Sequence, residues 1–478
     1  MPSIDRNDPA PFYLQVYTQI IEGIESGLYP AGKKLPSIRE CARELGVSNT
    51  TIELAYQKLT AEGYVQARRG SGYTICSMGE TPINPPERFS DEYRTALDEL
   101  TQAVDRDSSN AEIRYDFAYD TIDKSLFPFT TWAKISREVF FGPGAENACL
   151  YNSRQGLKQL REQIARYVAS EYGLNCIAEQ VLVMPTTRDI ISAITSLFDP
   201  ARDKFAMENP GYNEVRRIVS KSGFAVQPIP VNPFPQWEEI RRSIEDAKLV
   251  FTTPTCQFPT CKPMPYDLRQ RLVKWADEHD AYLIDDEYGW EFQSSITRTP
   301  TLAALDKTGR VITIGTFSNC FTPAICLSYA ILPPQLMLRW LRASGKTHPG
   351  SPWQTQAGMA MFMADNHWRT HIRKMRTTMN RKRQEALTAL ERYMGDSVEI
   401  ITGPCNLFIL VQTRDGRTER ELIDAAEAYG IRVYPTSIYW DGTPDDEWGY
   451  VLVGYAGIPE EAISPGIQTL ARAWNIQS

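Results

Sequence analysis

Between residues 181 and 332 short apolar, β-branched runs recur with helical stretches between them, and this alternation restricts the fold more than any other feature of the chain. The runs are residues 181–184, 204–207, 249–253, 281–285, 311–314 and 327–332. A helix between two strands returns the chain to the same edge of a sheet, so the pattern predicts a mostly parallel sheet covered by helices. The region from residue 114 to 478 therefore reads as one α/β domain.

The first 76 residues follow a different rule. Apolar positions Leu14, Tyr17, Ile21 and Ile24 keep helical spacing up to a stop at Gly27. Ser37 and Glu40 form a capping-box pair opening a second, short helix with Ile38, Cys41, Ala42 and Leu45 on its apolar side, and Gly46 ends it. Ser48 caps a third helix whose buried stripe is Ile52, Ala55, Tyr56 and Leu59. Residues 64–67 and 73–75 then make two strands around a turn that carries Arg68 and Arg69. Residues 77–113, with Pro82, Pro85 and Pro86, read as a linker holding a polar helix near residues 90–104.

With 478 residues the chain exceeds one ordinary core, which agrees with a multidomain protein. No apolar run is long enough to span a bilayer and the start lacks a basic-then-apolar signal pattern, so the expectation is a cytoplasmic protein with no membrane partner. Nine cysteines without small-domain spacing predict free thiols rather than a disulfide framework. Net charge is −8, and residues 1–75 hold eight basic and eight acidic residues. A nucleic-acid-binding face must therefore come from local placement of charge.

Two short helices joined through Gly46, the second starting with small polar residues, suit a helix–turn–helix whose second helix enters the major groove. Ser48, Asn49, Thr50 and Thr51 occupy that helix's first turn, where a carboxamide reads base edges and hydroxyls bind phosphate or bases. Arg39 lies on the polar side of the preceding helix. Arg68, Arg69, Gly70 and Ser71 form the tip of a wing suited to the minor groove. Read singly, each is also an ordinary solvated residue; the ordered set carries the argument. The runs Leu35-Pro36-Ser37-Ile38-Arg39, Leu45 to Ile52, Ala55-Tyr56-Gln57-Lys58-Leu59 and Gly63-Tyr64-Val65 resemble the GntR winged-helix family. That resemblance implies double-stranded operator DNA as partner and a homodimer reading two half-sites.

From about Asp116 onward the chain resembles fold-type I aminotransferases, in the arrangement of the MocR branch of GntR regulators. The resemblance rests on Leu126-Phe127-Pro128, Tyr151 with Gly156 and Leu160-Arg161, Glu208 to Tyr212, Gln257-Phe258-Pro259-Thr260, Asp285 to Tyr288, and Gly315-Thr316-Phe317-Ser318. It implies a pyridoxal 5′-phosphate (PLP) site at the sheet edge and, in relatives, two subunits that swap their DNA-binding modules across the linker. PLP chemistry requires a Schiff-base lysine. The family's lysine follows Gly-Thr-Phe-Ser, where this chain has Asn319, so no catalytic residue and no covalent cofactor are expected. Asp286 matches the pyridinium partner and Tyr288 the residue that contacts the ring hydroxyl, and Tyr212 is retained. The phosphate turn reads Met184-Pro185-Thr186-Thr187-Arg188 without a glycine, the phosphate arginine is Cys326, and the substrate arginine is Leu452.

The vestigial pocket is thus expected to comprise Thr186, Thr187, Arg188, Tyr212, Asp286, Tyr288, Asn319 and Cys326, open to non-covalent PLP or another small effector. The retained Asp286 and tyrosines equally suit a purely structural role. Cys256, Cys261, Cys320 and Cys326 all flank this region. Four thiols so gathered suit a soft metal or redox sensing, and equally suit small apolar packing. Their spacing is no zinc signature, and no metal site is expected.

Overall fold

The computed structural model describes residues 4–6, 8, 10–68, 72–76, 91–108, 113–151, 153–231, 234–293, 299–345, 350–404, 407–442 and 448–476. The chain forms two compact units, Met1–Ser109 and Asn110–Ser478.

The first unit contains helices α1 (Phe12–Glu25), α2 (Ile38–Leu45) and α3 (Asn49–Ala61), then an antiparallel hairpin of β1 (Val65–Arg68) and β2 (Gly72–Ile75). The expected stripe on α1 is displaced. Val16, Ile20 and Gly23 are its buried residues together with Gln15, whereas Tyr17, Ile21 and Ile24 are half-buried beside them. Apolar side chains run around more than half of this helix, so periodicity alone did not single out the deepest face. On α2 the expected Cys41 and Ala42 are buried, and on α3 all four expected residues, Ile52, Ala55, Tyr56 and Leu59, are completely enclosed. Complete burial of a side chain the size of Leu59 contributes about 1.5–3 kcal/mol. The linker helix α4 (Asp91–Ser108) extends past its expected end.

In the second unit seven strands form one sheet: β3 (Val181–Met184), β4 (Lys204–Asn209), β5 (Val226–Pro230), β6 (Ala247–Thr252), β7 (Tyr282–Asp286), β8 (Val311–Thr316) and β9 (Ser328–Ile331). Their spatial order is β3-β9-β8-β7-β6-β4-β5, and every pairing is parallel except those of β9, which runs antiparallel to both neighbours. Six strands fall where the alternation predicts. β5 was not anticipated: Pro228 and Pro230 argue against a strand, but at the sheet edge a missing N–H costs no ladder bond. Side chains alternate between two covered faces. Phe205, Met207, Phe251 and Ile284 pack under one helical layer, while Ala206, Val250 and Leu283 pack under the other.

A smaller antiparallel sheet follows, built from Val398–Ile401, Phe408–Thr413, Val451–Gly454 and Tyr434–Pro435. It packs on Glu419–Glu427, on Glu460–Ala473 and on the end of the long helix His367–Met394. The buried pair of Lys382 and Asp123, 3.0 Å apart, ties that long helix to the start of the unit. The Lys382 ammonium also donates to the carbonyls of Ala456 and Ile458, at 3.1 and 2.6 Å. No helix among the described residues is long and apolar enough to cross a membrane.

Candidate functional site

In the first unit, the turn between α2 and α3 depends on Gly46, whose φ of +63° lies in the left-handed region, and its N–H closes α2 onto the Ala42 carbonyl. Ser37 begins α2 by accepting the Glu40 N–H at 3.2 Å. Ser48 begins α3 by accepting the Thr51 N–H at 3.1 Å, and the Ser48 and Thr51 hydroxyls lie 2.8 Å apart. The Tyr56 hydroxyl reaches from the buried side of α3 to the Pro36 carbonyl at 3.1 Å. Its ring meets Tyr73 of β2 edge-on at 4.9 Å. One side chain thus fixes α3 against both α2 and the hairpin.

Of the residues expected to face DNA, Arg39, Ser48, Asn49 and Thr50 are exposed and Thr51 is partly covered. Ser48 and Thr51 are engaged with each other as the helix cap, so only Asn49 and Thr50 of the first turn present uncommitted side chains outward. Arg68 ends β1 with its backbone opposite Gly72; Arg69, Gly70 and Ser71 lie outside the described residues. The outward face of α3 continues past the first turn through Glu53, Leu54 and Gln57, which are all exposed. The sequence reading stopped at the first turn. The helical repeat that marked the buried stripe also marks the face opposite it.

In the second unit, a cavity of about 310 Å3 opens where the parallel strands end. Asp286 is the last residue of β7, Thr316 the last of β8, and Thr253 follows β6. Chain reversals at these carboxyl ends leave a crevice in any open parallel sheet. All eight expected pocket residues line it: Thr186, Thr187, Arg188, Tyr212, Asp286, Tyr288, Asn319 and Cys326. Tyr119, Asp120, Phe258 and Leu407 complete much of the wall, and sequence reasoning had not assigned them there. A larger cavity of about 410 Å3, lined by Phe127, Phe129, Trp132 and Phe321 among others, holds none of the expected residues.

Phe258 organises the cavity wall. Its ring meets Tyr119, Tyr212, Tyr288, Phe408 and Tyr439 at centroid distances of 4.6 to 6.0 Å. Gln257, wholly buried, holds the preceding turn by donating to the Pro210 and Phe258 carbonyls and accepting from Thr260. Asn319 donates to the Tyr288 carbonyl at 3.3 Å. Burial pushes the Asp286 carboxyl up to about 7, and the nearby Glu287 and Glu208 push in the same direction. Glu208 is likewise raised to about 7 by burial, although Thr253 and Gln257 hydrogen-bond to it. Burial also holds the Tyr288 phenol well above its ordinary range.

The residues present do not fit covalently held PLP. Among the described residues no lysine lines the cavity, so none of them offers an amine there to condense with an aldehyde. The helix start that would receive a phosphate is closed by a reciprocal cap. Thr186 accepts the Asp189 N–H at 3.2 Å, and the Asp189 carboxylate accepts the Thr186 N–H and hydroxyl at 3.1 and 2.6 Å. A carboxylate in the first turn of Thr187–Thr195 takes up part of the positive end of the helix dipole that would otherwise attract an anion. Leu452, expected at the substrate position, is fully buried inside its strand and does not line the cavity.

The four flanking thiols do not form a common site. Cys326 is exposed and lines the cavity, whereas Cys261 and Cys320 are buried in the core, where desolvation pushes both thiols up and away from the thiolate form. Cys256 is disulfide-bonded, which corrects the expectation of free thiols throughout. A pairing made by the fold leaves no trace in sequence spacing. Among the described residues no group of three or more His, Cys, Asp or Glu is arranged to hold a metal ion.

Comparison with known proteins agrees with both halves. Residues 12–75 match the family "Bacterial regulatory proteins, gntR family", and residues 123–464 match "Aminotransferase class I and II". The uncharacterized HTH-type transcriptional regulator YhdI of Bacillus subtilis is 32% identical, over 99% of this chain and 98% of its own. The probable rhizopine catabolism regulatory protein MocR of Rhizobium meliloti is 28% identical, over 98% of this chain and 95% of its own. Among solved structures, the α-aminoadipate aminotransferase LysN of Thermus thermophilus superposes with a TM-score of 0.68 at 20% identity, over 76% of this chain and 92% of that one, a likeness of fold alone. The chain belongs to the GntR family of transcriptional regulators, in its MocR-type arrangement of a helix–turn–helix domain joined to an aminotransferase class I and II domain.

Proposed function

We propose that this regulator binds operator DNA through residues 1–76, and that its large domain, residues 114–478, has given up aminotransferase chemistry to serve for dimerisation and effector sensing. Residues 77–113 would then be the linker between them. The observation that carries the reading is the cavity at the sheet edge: it keeps Asp286, Tyr288 and Tyr212 but presents Asn319 and, among the described residues, no lysine. A ligand there would act by binding two arrangements of the dimer unequally, and so changing the spacing of the two DNA-binding modules on the operator. The cavity is lined by Asp286 and Thr316 of the large sheet and by Leu407 beside the small sheet; next to it the Tyr119 and Tyr439 hydroxyls lie 3.3 Å apart and the Gly211 N–H bonds the Tyr439 carbonyl at 2.9 Å. A ligand that draws these parts together has a mechanical route to the rest of the chain.

Thermal shift of the full chain against panels of small acids, amines and vitamers tests this. A ligand selective for the folded protein raises the melting temperature, by mass action. Loss of that shift in a Phe258→Ala variant that still folds would locate it in the cavity. No shift from any compound would remove the sensing part and leave a dimerisation scaffold.

A second reading, PLP held without a covalent bond, is favoured by Asp286 and Tyr288, both of which line the cavity. Equilibrium dialysis with PLP separates it from the first. Retention on dialysis but complete release under denaturation supports it.

A further inference from the structure

The outward face of α3 has a composition that restricts the DNA it can read, and the inference rests on taking α3 as the groove-facing helix. At 3.6 residues per turn, Thr50, Leu54 and Gln57 stack along one side, opposite the buried Ile52, Ala55 and Leu59. None of them is basic, and the exposed Glu53 beside them is an acid. Guanine is read most often by arginine or lysine donating to O6 and N7, which this face lacks; Glu53 lies at its edge, where a carboxylate accepts from cytosine N4 but is repelled by guanine. Lys58 of α3 is turned to Glu62 and the Tyr17 ring, and the exposed basic residues of these two helices are Arg39 and Arg43 on α2, one turn apart. That placement suits phosphates.

Leu54 is 46% exposed in the middle of this polar face. An isolated exposed leucine needs no explanation. Here it occupies the centre of the one helix face that meets base edges, where its only complementary group is the C5-methyl of thymine. Gln57, one turn on, presents a donor and an acceptor matched to adenine N7 and N6. The two positions are about 4.5 Å apart along the helix axis, against a rise of about 3.4 Å between neighbouring base pairs, so the two side chains reach adjacent pairs. We infer that Leu54 and Gln57 specify an adenine–thymine step in each operator half-site, Leu54 by packing on a thymine methyl and Gln57 by paired hydrogen bonds to adenine.

The test uses the full-length protein. Duplexes enriched from a random library define the half-site, and each thymine is then replaced singly by deoxyuridine, which removes only the methyl. The expected result is one thymine per half-site whose replacement weakens wild-type binding about 5- to 10-fold, with Leu54→Ala equally weakened on the thymine duplex and indifferent to the methyl. Leu54 is outside the core, so an unchanged melting temperature shows that the variant is folded. Wild-type binding insensitive to every thymine methyl overturns the proposal, as does a Leu54→Ala variant that keeps the deoxyuridine penalty. A half-site whose contacted step is guanine–cytosine overturns it while leaving the groove assignment of α3 standing. Failure to enrich any sequence overturns that assignment as well.

Discussion

The side-chain amide of Asn319 donates to the backbone carbonyl of Tyr288 at 3.3 Å, and both residues line the cavity at the sheet edge. A carboxamide used in this way is a structural tie between two loops and offers no nucleophile. Mixing the wild-type protein with PLP is therefore expected to give no visible aldimine band that borohydride fixes. The Asn319→Lys variant, which brings an amine to the cavity, is expected to gain a reducible adduct at that position. A stoichiometric, borohydride-fixed aldimine in the wild-type protein would reject the loss of covalent chemistry.

Glu208 and Asp286 supply a pH signature. Both carboxyls are pushed up to about 7, chiefly by burial. A carboxyl that holds its proton more tightly when folded than its ordinary value near 4 makes the folded state lose stability as pH rises from about 4 through about 7. The melting temperature of Asp286→Asn should match wild type near or below pH 4, exceed it progressively toward about pH 7, and keep that lead above it. Parallel curves across that range would show that Asp286 titrates normally.

Lys382 and Asp123 form an enclosed ion pair, with side chains 1% and 9% exposed. Burial lowers the affinity of Lys382 for its proton. Burial alone would raise Asp123, but hydrogen bonds from Ser125 and Lys382 hold it below its ordinary value. The two directions disagree on whether the pair is favourable overall, and desolvation commonly cancels most of such an attraction. Removing one partner is a different matter. Lys382→Met is expected to cost about 3–5 kcal/mol in urea unfolding, because it leaves a buried carboxylate uncompensated. Adding Asp123→Leu should recover part of the loss, and a double variant no better than the single one would contradict the argument.

Two residues of the first unit separate stability from binding. Ser48→Ala removes the cap of α3 and should lower the stability of that unit by about 1 kcal/mol. Arg39→Ala removes an exposed side chain and should leave thermal unfolding unchanged while weakening operator binding. If Arg39 contacts phosphate, the salt dependence of binding falls by about one counterion and all sequences are weakened alike. Unchanged affinity in Arg39→Ala would move the DNA-binding face elsewhere.

Four of the free thiols differ in how they should react. Cys326 and Cys149 are exposed, while Cys261 and Cys320 are enclosed. Brief treatment with iodoacetamide should label the first two and spare the second two until the chain is unfolded. Early labelling of Cys261 or Cys320 would reopen the case for a responsive thiol cluster.

Period and punctuation along the chain sufficed for much of this protein. The α3 stripe of Ile52, Ala55, Tyr56 and Leu59, the Gly46 turn and six of the seven strands of the large sheet follow from spacing, because each depends on neighbours within one or two turns of chain. The eight pocket residues were found by likeness to a family, and the fold brings all of them to one cavity. What sequence could not supply were relationships closed by distant segments. Proline-bearing β5 is tolerated only because it lies at an edge; Phe258 is a hub because five aromatic rings from five separate stretches converge on it. Leu452 is a strand interior residue because both neighbouring strands cover it. The disulfide of Cys256 and the enclosure of Lys382 by Asp123, Ala456 and Ile458 belong to the same class. Local hydrogen bonding and periodicity are properties of a segment, whereas burial and side-chain partnership are properties of the whole packed chain, and only the tertiary structure decides them.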